Sequence, residues 1–373
     1  MRQHRITRRA ALQSVGSVVA TTVDAAQPSR GGAGIRLVPR EQLVNVLEYE
    51  DQAKRVLAPA AYAAIAGGDR SAFERITLRP RMMVPVLDLN LSVTLFGQPM
   101  FAPILVAPVA RQADFHADGE RATLAGATAA KAVAVISSHA STPLAALAGA
   151  AAAPHWYQVF AQDASAAARI KDAVAAGCRA ICVTLGAPPA GGSAAPAKGA
   201  RAAASTLKAD LAALDALTRG VDVPIVVKGI ATPDEARLVL QHRVQGIIVS
   251  PYNAKSDAEA SILALPQIVD AAGGRAAVLA DGSFRRGTDI IKALAFGAQA
   301  VLVGRPVMWG LAAYGAAGVQ GVVEMLQTEL ARYMAMCGKP NLAALDRTML
   351  RVHRPPRERG AGTAGQEQGN GRA

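Results

Sequence analysis

Six polar residues stand at the ends of apolar runs along this chain: Ser137, Gln158, Thr184, Lys228, Ser250 and Asp281. A single hydroxyl in such a place is equally well explained as the cap of a following helix. Six of them, one a lysine, suggest a shared polar ligand, because a buried ammonium requires an anionic partner. Two further segments indicate the kind of ligand. Asp281-Gly282-Ser283-Phe284-Arg285-Arg286-Gly287 and Gly304-Arg305-Pro306 combine glycines with arginines. Glycine lets backbone approach an anion closely, and the forked guanidinium fits phosphate. Amide, hydroxyl and ammonium groups facing a phosphate site suit a flat heteroaromatic with several acceptors, such as a flavin.

The elements that must hold these residues follow from the apolar pattern. Runs rich in Val and Ile recur at Ile104–Ala107, Ala134–Ser137, Trp156–Phe160, Ala180–Thr184, Ile225–Lys228, Gly246–Ser250, Ala277–Asp281 and Ala300–Gly304, with Ala-rich helical segments between them. Continuous apolar runs are what strands buried on both faces look like. Strand then helix, repeated, predicts an α/β fold, a (β/α)₈ TIM barrel, with residues 38–100 as a helical lead-in covering its bottom or side. The rival, an open doubly wound sheet, would more often carry a glycine-rich loop after its first strand, and Ala107-Pro108-Val109-Ala110 is not one. In a barrel the strand ends form the catalytic face, and phosphate commonly sits on the loops after strands seven and eight.

The formal net charge is +12, which invites a nucleic-acid reading. Residues 1–40 carry +6 of it and residues 347–373 another +4, so the middle is near neutral and no nucleic-acid partner is expected. Cys178, Cys182 and Cys337 have no metal-ligand spacing and read as small core residues. No run is long and apolar enough to suggest a transmembrane helix. The N-terminus reads Thr7-Arg8-Arg9-Ala10-Ala11-Leu12, then a mostly apolar stretch to Val23, then Asp24-Ala25-Ala26. It predicts a twin-arginine export signal over residues 1–26, hence a periplasmic or exported protein, with a cytoplasmic one as the alternative. Residues 27–41 read as a linker, 42–352 as the barrel domain and 353–373 as a disordered tail.

In the segments Ile76-Thr-Leu-Arg-Pro-Arg81, Val106-Ala-Pro-Val-Ala110, His116-Ala-Asp-Gly-Glu120, Ile136-Ser-Ser138, Trp156-Tyr-Gln158, Val227-Lys-Gly-Ile230, Gly246-Ile-Ile-Val-Ser250, Asp281 to Asp289 and Val303-Gly-Arg-Pro306, the chain resembles the FMN-dependent α-hydroxy-acid oxidase and dehydrogenase family. The resemblance spans roughly residues 42–350. It implies FMN as cofactor, a small-molecule substrate, a homo-oligomer, and oxidation of a 2-hydroxy acid to a 2-oxo acid. Carried over, Pro108, Val109 and Ala110 would face the flavin ring. Ser137, Gln158 and Thr184 would bond its polar edge, and Lys228 would sit where negative charge gathers on reduction. Ser250 and Asp281 would reach the ribityl chain. Gly282, Ser283, Arg285, Gly304 and Arg305 would hold the phosphate. The family usually has a second glycine where Ser283 stands.

The substrate side departs from that pattern. The family's catalytic histidine falls on Tyr252 and a carboxylate-binding arginine on Lys255, within Ser250-Pro251-Tyr252-Asn253-Ala254-Lys255-Ser256. A second arginine and an aspartate are missing from the segment Thr184 to Ser193, and two substrate tyrosines fall on Ala64 and Phe160. An ordinary tyrosine is protonated at neutral pH and so is a poor base, and a lysine lacks the arginine fork. The expectation is a member that binds FMN while its oxidation of simple 2-hydroxy acids is altered or impaired. His139, where the family often has tryptophan, is the candidate for a relocated base, and a polar loop residue bonded to backbone is the alternative. His116 reads as structural. A flavin protein without turnover, or a barrel for another phosphorylated ligand, stay open.

Overall fold

The computed structural model describes residues 36–81, 88–147, 155–186, 204–250 and 259–353, with 84, 86 and 188. Eight strands form one closed barrel: β1 Ile104–Val106, β2 Val133–Ser137, β3 Trp156–Phe160, β4 Ile181–Thr184, β5 Ile225–Ile230, β6 Gly246–Val249, β7 Ala277–Asp281 and β8 Ala300–Val303. Each pairs in parallel with its neighbours in chain order, and β8 closes on β1 through Val301↔Ile104, Leu302↔Leu105 and Val303↔Val106. The helices that follow them are α1 Gly119–Ala129, α2 Leu144–Leu147, α3 Ala166–Ala175, α4 Ala204–Thr218, α5 Pro233–Val239, α6 Glu259–Ala272, α7 Gly287–Ala295 and α8 Arg305–Met336. The last is two segments meeting at Gly315, whose φ is 58°. The strands lie where the apolar runs are, their bounds within one residue except at β5. β5 continues past Lys228 to Ile230, and its register against β6 shifts between those two residues.

Alternation along the strands sorts the core into two layers. Ile104, Val106, Val227, Ile247 and Val249 pack outward against the helices. Leu105, Val135, Trp156, Cys182, Val226, Ile248, Leu279 and Leu302 fill the interior. The interior is apolar, as the buried Cys182 illustrates, its thiol pKa pushed up to about 12 chiefly by burial. All three cysteines are buried and free.

The lead-in does more than cover a side. Its hairpin, Val93–Leu95 with Gln98–Met100, closes the bottom: Leu95 and Met100 join the interior cluster, and Phe96 lies 5.6 Å from the Trp156 ring. The helix Val46–Val56 packs on α8. Residues 66–68 go to the opposite end, where the Gly67 carbonyl meets the side chains of Arg285 and Arg305. Part of the lead-in therefore belongs to the catalytic rim. Among the described residues no helix is long and apolar enough to cross a membrane.

Candidate active site

The inward alternation continues to the top of the barrel. Ser137, Gln158, Thr184, Lys228, Ser250 and Asp281 each stand two residues beyond an inward-facing apolar residue: Val135, Trp156, Cys182, Val226, Ile248 and Leu279. Side chains two apart on a strand share a face. The six form the last layer of the barrel interior, and the matching positions after β1 and β8 are Ala107 and Gly304.

That layer is bonded into two groups. Ser137 Oγ donates to Gln158 Oε1 at 3.2 Å, and Gln158 Nε2 donates to Thr184 Oγ1 at 2.9 Å. Lys228 Nζ lies 2.6 Å from Asp281 Oδ2 and donates to Ser250 Oγ at 2.9 Å, while Ser250 Oγ is 3.4 Å from Asp281 Oδ2. The counter-charge that a buried ammonium requires is thus Asp281, brought across from β7 to β5 over the intervening β6.

Beside this layer lies a cationic wall. Arg285 is buried, 4.8 Å from its guanidinium carbon to the Trp309 ring centre, and donates to Phe284 O at 3.0 Å and Gly67 O at 2.8 Å. Arg305 also donates to Gly67 O. Trp309 Nε1 donates to Ile65 O at 2.8 Å and ties the lead-in to this wall. Among the described residues neither arginine has a carboxylate at ion-pair distance. Burial, and then the neighbouring Arg305, push the Arg285 pKa down to about 9. Gly68, at φ 131°, lies so close that an added Cβ would meet Arg305 Nη1 at 2.3 Å. Two adjacent guanidiniums whose hydrogen bonds among the described residues go to carbonyls, with backbone packed against them, fit a phosphate.

The opposite wall is built by the loops after β1 and β2. Glu120, buried in the first turn of α1, accepts from the backbone N–H of Gln112 at 3.1 Å, Ser141 at 2.9 Å and Thr142 at 3.2 Å. Arg111 N donates to His139 O at 3.1 Å and Ala113 N to Ser141 Oγ at 3.0 Å, so the two loops are locked together. Pro108, Val109 and Ala110 are half-buried in the first of them. His139 is held between Ser137 Oγ, which accepts from its N–H at 3.2 Å, and Ser138 Oγ, 3.1 Å from its Nδ1. Its ring meets Phe160 edge-on at 5.4 Å. Burial, then the charge of Arg169, lowers its pKa, so the imidazole is neutral at neutral pH. His116 lies elsewhere, with Nδ1 accepting from Asp118 N at 3.2 Å.

The site residues that sequence reasoning passed over are Glu120, Gly67, Gly68, Trp309 and Arg169. Glu120 carries a signal, an acid in the first turn of a helix in an otherwise apolar setting; the others carry none. Tyr252, Lys255 and the segment from Ala187 to Ser193, except Pro188, lie outside the described residues. Among the described residues no cluster suited to a metal ion occurs.

Comparison with known proteins identifies the family and the fold. A family model described as FMN-dependent dehydrogenase matches residues 59–198 and 192–352. An L-lactate oxidase of Nostoc sp. is 36% identical over 361 residues, covering 83% of this chain and 98% of the relative. The glycolate oxidase of Spinacia oleracea is 34% identical over 351 residues, covering 82% and 95%. A solved mandelate oxidase with (S)-4-hydroxymandelic acid superposes with a TM-score of 0.74 at 30% identity, covering 83% of this chain and 99% of that one.

Proposed function

The chain belongs to the FMN-dependent dehydrogenase family, a family of hydroxy-acid oxidoreductases, and from that premise we propose how its own residues divide the work. FMN is the cofactor, and the polar layer and the cationic wall suit it in shape and charge. Arg285, Arg305, Gly282, Ser283 and Gly304 hold its phosphate. Asp281 and Ser250 hold the ribityl hydroxyls, and Ser137, Gln158 and Thr184 the polar edge of the ring. Pro108, Val109 and Ala110 lie against the ring. Lys228 supplies positive charge to the pyrimidine end, where reduction leaves negative charge. When bound, FMN supplies the two-electron acceptor for oxidation at a carbon bearing a hydroxyl.

The substrate is a small hydroxy acid, and its turnover is slow for lactate, glycolate and mandelate. The observation that carries this reading is compositional: Tyr252 and Lys255 stand where the family pattern has a histidine base and an arginine clamp. Neither substitute reproduces the lost chemistry at neutral pH. His139 is the base that remains beside the ring-edge layer. It is neutral and anchored by Ser137 and Ser138, and in the tautomer whose Nδ1–H donates to Ser138 Oγ its Nε2 is the nitrogen that can take a hydroxyl proton. His139 would take the hydroxyl proton, and bound FMN would supply the acceptor for the two electrons and the Cα hydrogen, so that a 2-oxo acid results.

Anaerobic mixing of the FMN-loaded protein with each of the three acids tests this. Slow bleaching of the flavin absorbance is expected, faster in Tyr252→His and abolished in His139→Gln. Because burial, then Arg169, lowers the His139 pKa, the rate persists into more acidic solution than an ordinary imidazole would allow and is lost only at lower pH, as the ring protonates. Fast bleaching of the unaltered protein would refute the impaired site. A His139→Gln rate equal to the parent's would remove His139 from the mechanism. The same reading places the folded protein in an oligomer and, through Arg8-Arg9, outside the cytoplasm. Gel filtration and cell fractionation of the full chain test these two points.

A further inference from the structure

Ser283 has two features that the fold does not require. Its φ is 56°, the left-handed region that a side chain disfavours and glycine enters freely. Its Oγ is buried, the residue being 5% exposed, and it has no hydrogen-bond partner among the described residues. A buried hydroxyl without a partner is costly, and so is a strained backbone; both persist where something outside the chain compensates. A single substitution, Ser283→Gly, would remove both costs at once.

The surroundings identify the compensating group. A Cβ built on Gly68 would lie 2.3 Å from Arg305 Nη1 and 3.3 Å from Ser283 Oγ, so hydroxyl and guanidinium border the same small space. Two residues along, the Arg285 guanidinium is buried, with main-chain carbonyls and the face of Trp309 as its neighbours. Asp281, two residues before, is already engaged by Lys228 at 2.6 Å. The group that would satisfy the hydroxyl is an anion with several acceptor oxygens.

We propose that the Ser283 hydroxyl is a phosphate ligand, donating to a phosphoryl oxygen of FMN alongside Arg285 and Arg305. The assignment rests on the flavin reading above, which already sets Ser283 at the phosphate, and specifies its side-chain hydroxyl as the donor. It also makes Ser283 a determinant of selectivity, because riboflavin has no phosphate to accept the bond. The strain at Ser283 is thereby tied to ligand affinity, and stability and affinity respond to substitution with opposite signs.

The test uses the full-length protein stripped of flavin, with Ser283→Gly and Ser283→Ala variants. FMN and riboflavin affinities are read by quenching of flavin fluorescence, and thermal midpoints are read on the flavin-free proteins. Loss of one charge-assisted bond predicts FMN binding weakened about tenfold in both variants, with riboflavin binding unchanged. The flavin-free Ser283→Gly protein should melt at or above the parent's midpoint, because glycine relieves the backbone. Ser283→Ala removes the unpartnered hydroxyl but keeps the strain, and should gain less than Ser283→Gly. FMN binding as tight as the parent's in both variants would overturn the assignment, as would equal weakening toward FMN and riboflavin. A parent protein that binds neither flavin would overturn the flavin reading itself, and this assignment with it.

Discussion

The rim of the barrel has two unlike walls. The wall after β7 and β8, with residues 66–68 laid over it, holds two guanidiniums that donate to main-chain carbonyls and a hydroxyl with no hydrogen-bond partner among the described residues. The wall after β1 and β2 contains a buried carboxylate, Glu120, already saturated by three backbone amides, and a neutral imidazole seated between two serines. The first wall has surplus positive charge, which an anion from outside would complete. The second satisfies itself and so fixes geometry. The contrast teaches that affinity for the cofactor and placement of the chemistry are built from different kinds of polar group. Charge left unpaired attracts a ligand; charge fully paired holds a loop still.

The largest effect is expected in the polar layer that both walls border. Lys228→Met leaves the Asp281 carboxylate at the rim without its 2.6 Å partner. Breaking such a pair costs about 3–5 kcal/mol, to be read as a lowered urea midpoint. If stability does not change, the pair does not hold β5 to β7. Arg285→Ala attacks the cationic wall alone. It should weaken FMN binding by about 10- to 100-fold, the value of a bond to a charged group, and leave the β1 and β2 loops intact. For the unaltered protein, FMN at 100 times its dissociation constant should add about 2.7 kcal/mol to unfolding stability. Riboflavin at the same concentration should add less.

Glu120→Gln attacks the other wall. Neutralising a carboxylate that accepts three amides should cost about 1–3 kcal/mol and raise hydrogen exchange at Gln112, Ser141 and Thr142. Its FMN affinity should fall less than that of Arg285→Ala. An equal fall would show that the walls are not separable. Ser137→Ala is the mildest test, removing the acceptor of the His139 N–H and the donor to Gln158 for about 1 kcal/mol.

Much of this was legible in the sequence. Every barrel strand coincides with an apolar run, because burial on both faces leaves an unbroken apolar stretch. The six ring residues were visible as polar endings, and their inward direction could have been read from parity: each lies two positions after a residue that must face in. The strand-end ring and the arginines after β7 and β8 were found for that reason. Apart from Glu120, what went unread had no local mark. Gly67 and Gly68 look like a turn in the lead-in, and Trp309 looks like core. Lys228 was read as the end of its strand, whereas β5 continues to Ile230 past the register shift.

By itself, then, the sequence determined the rhythm of strand and helix, the apolar interior, and which residue types crown each strand, because those depend on periodicities of a few residues. Only the tertiary structure decided which groups meet. Closing β8 on β1 sets Gly304 next to Ala107. Parallel packing of β5, β6 and β7 brings Asp281 to Lys228, and the fold-back of residues 66–68 delivers a carbonyl to two arginines. These contacts join segments far apart in the chain, so no window along it contains both partners, and their geometry exists only once the barrel has closed.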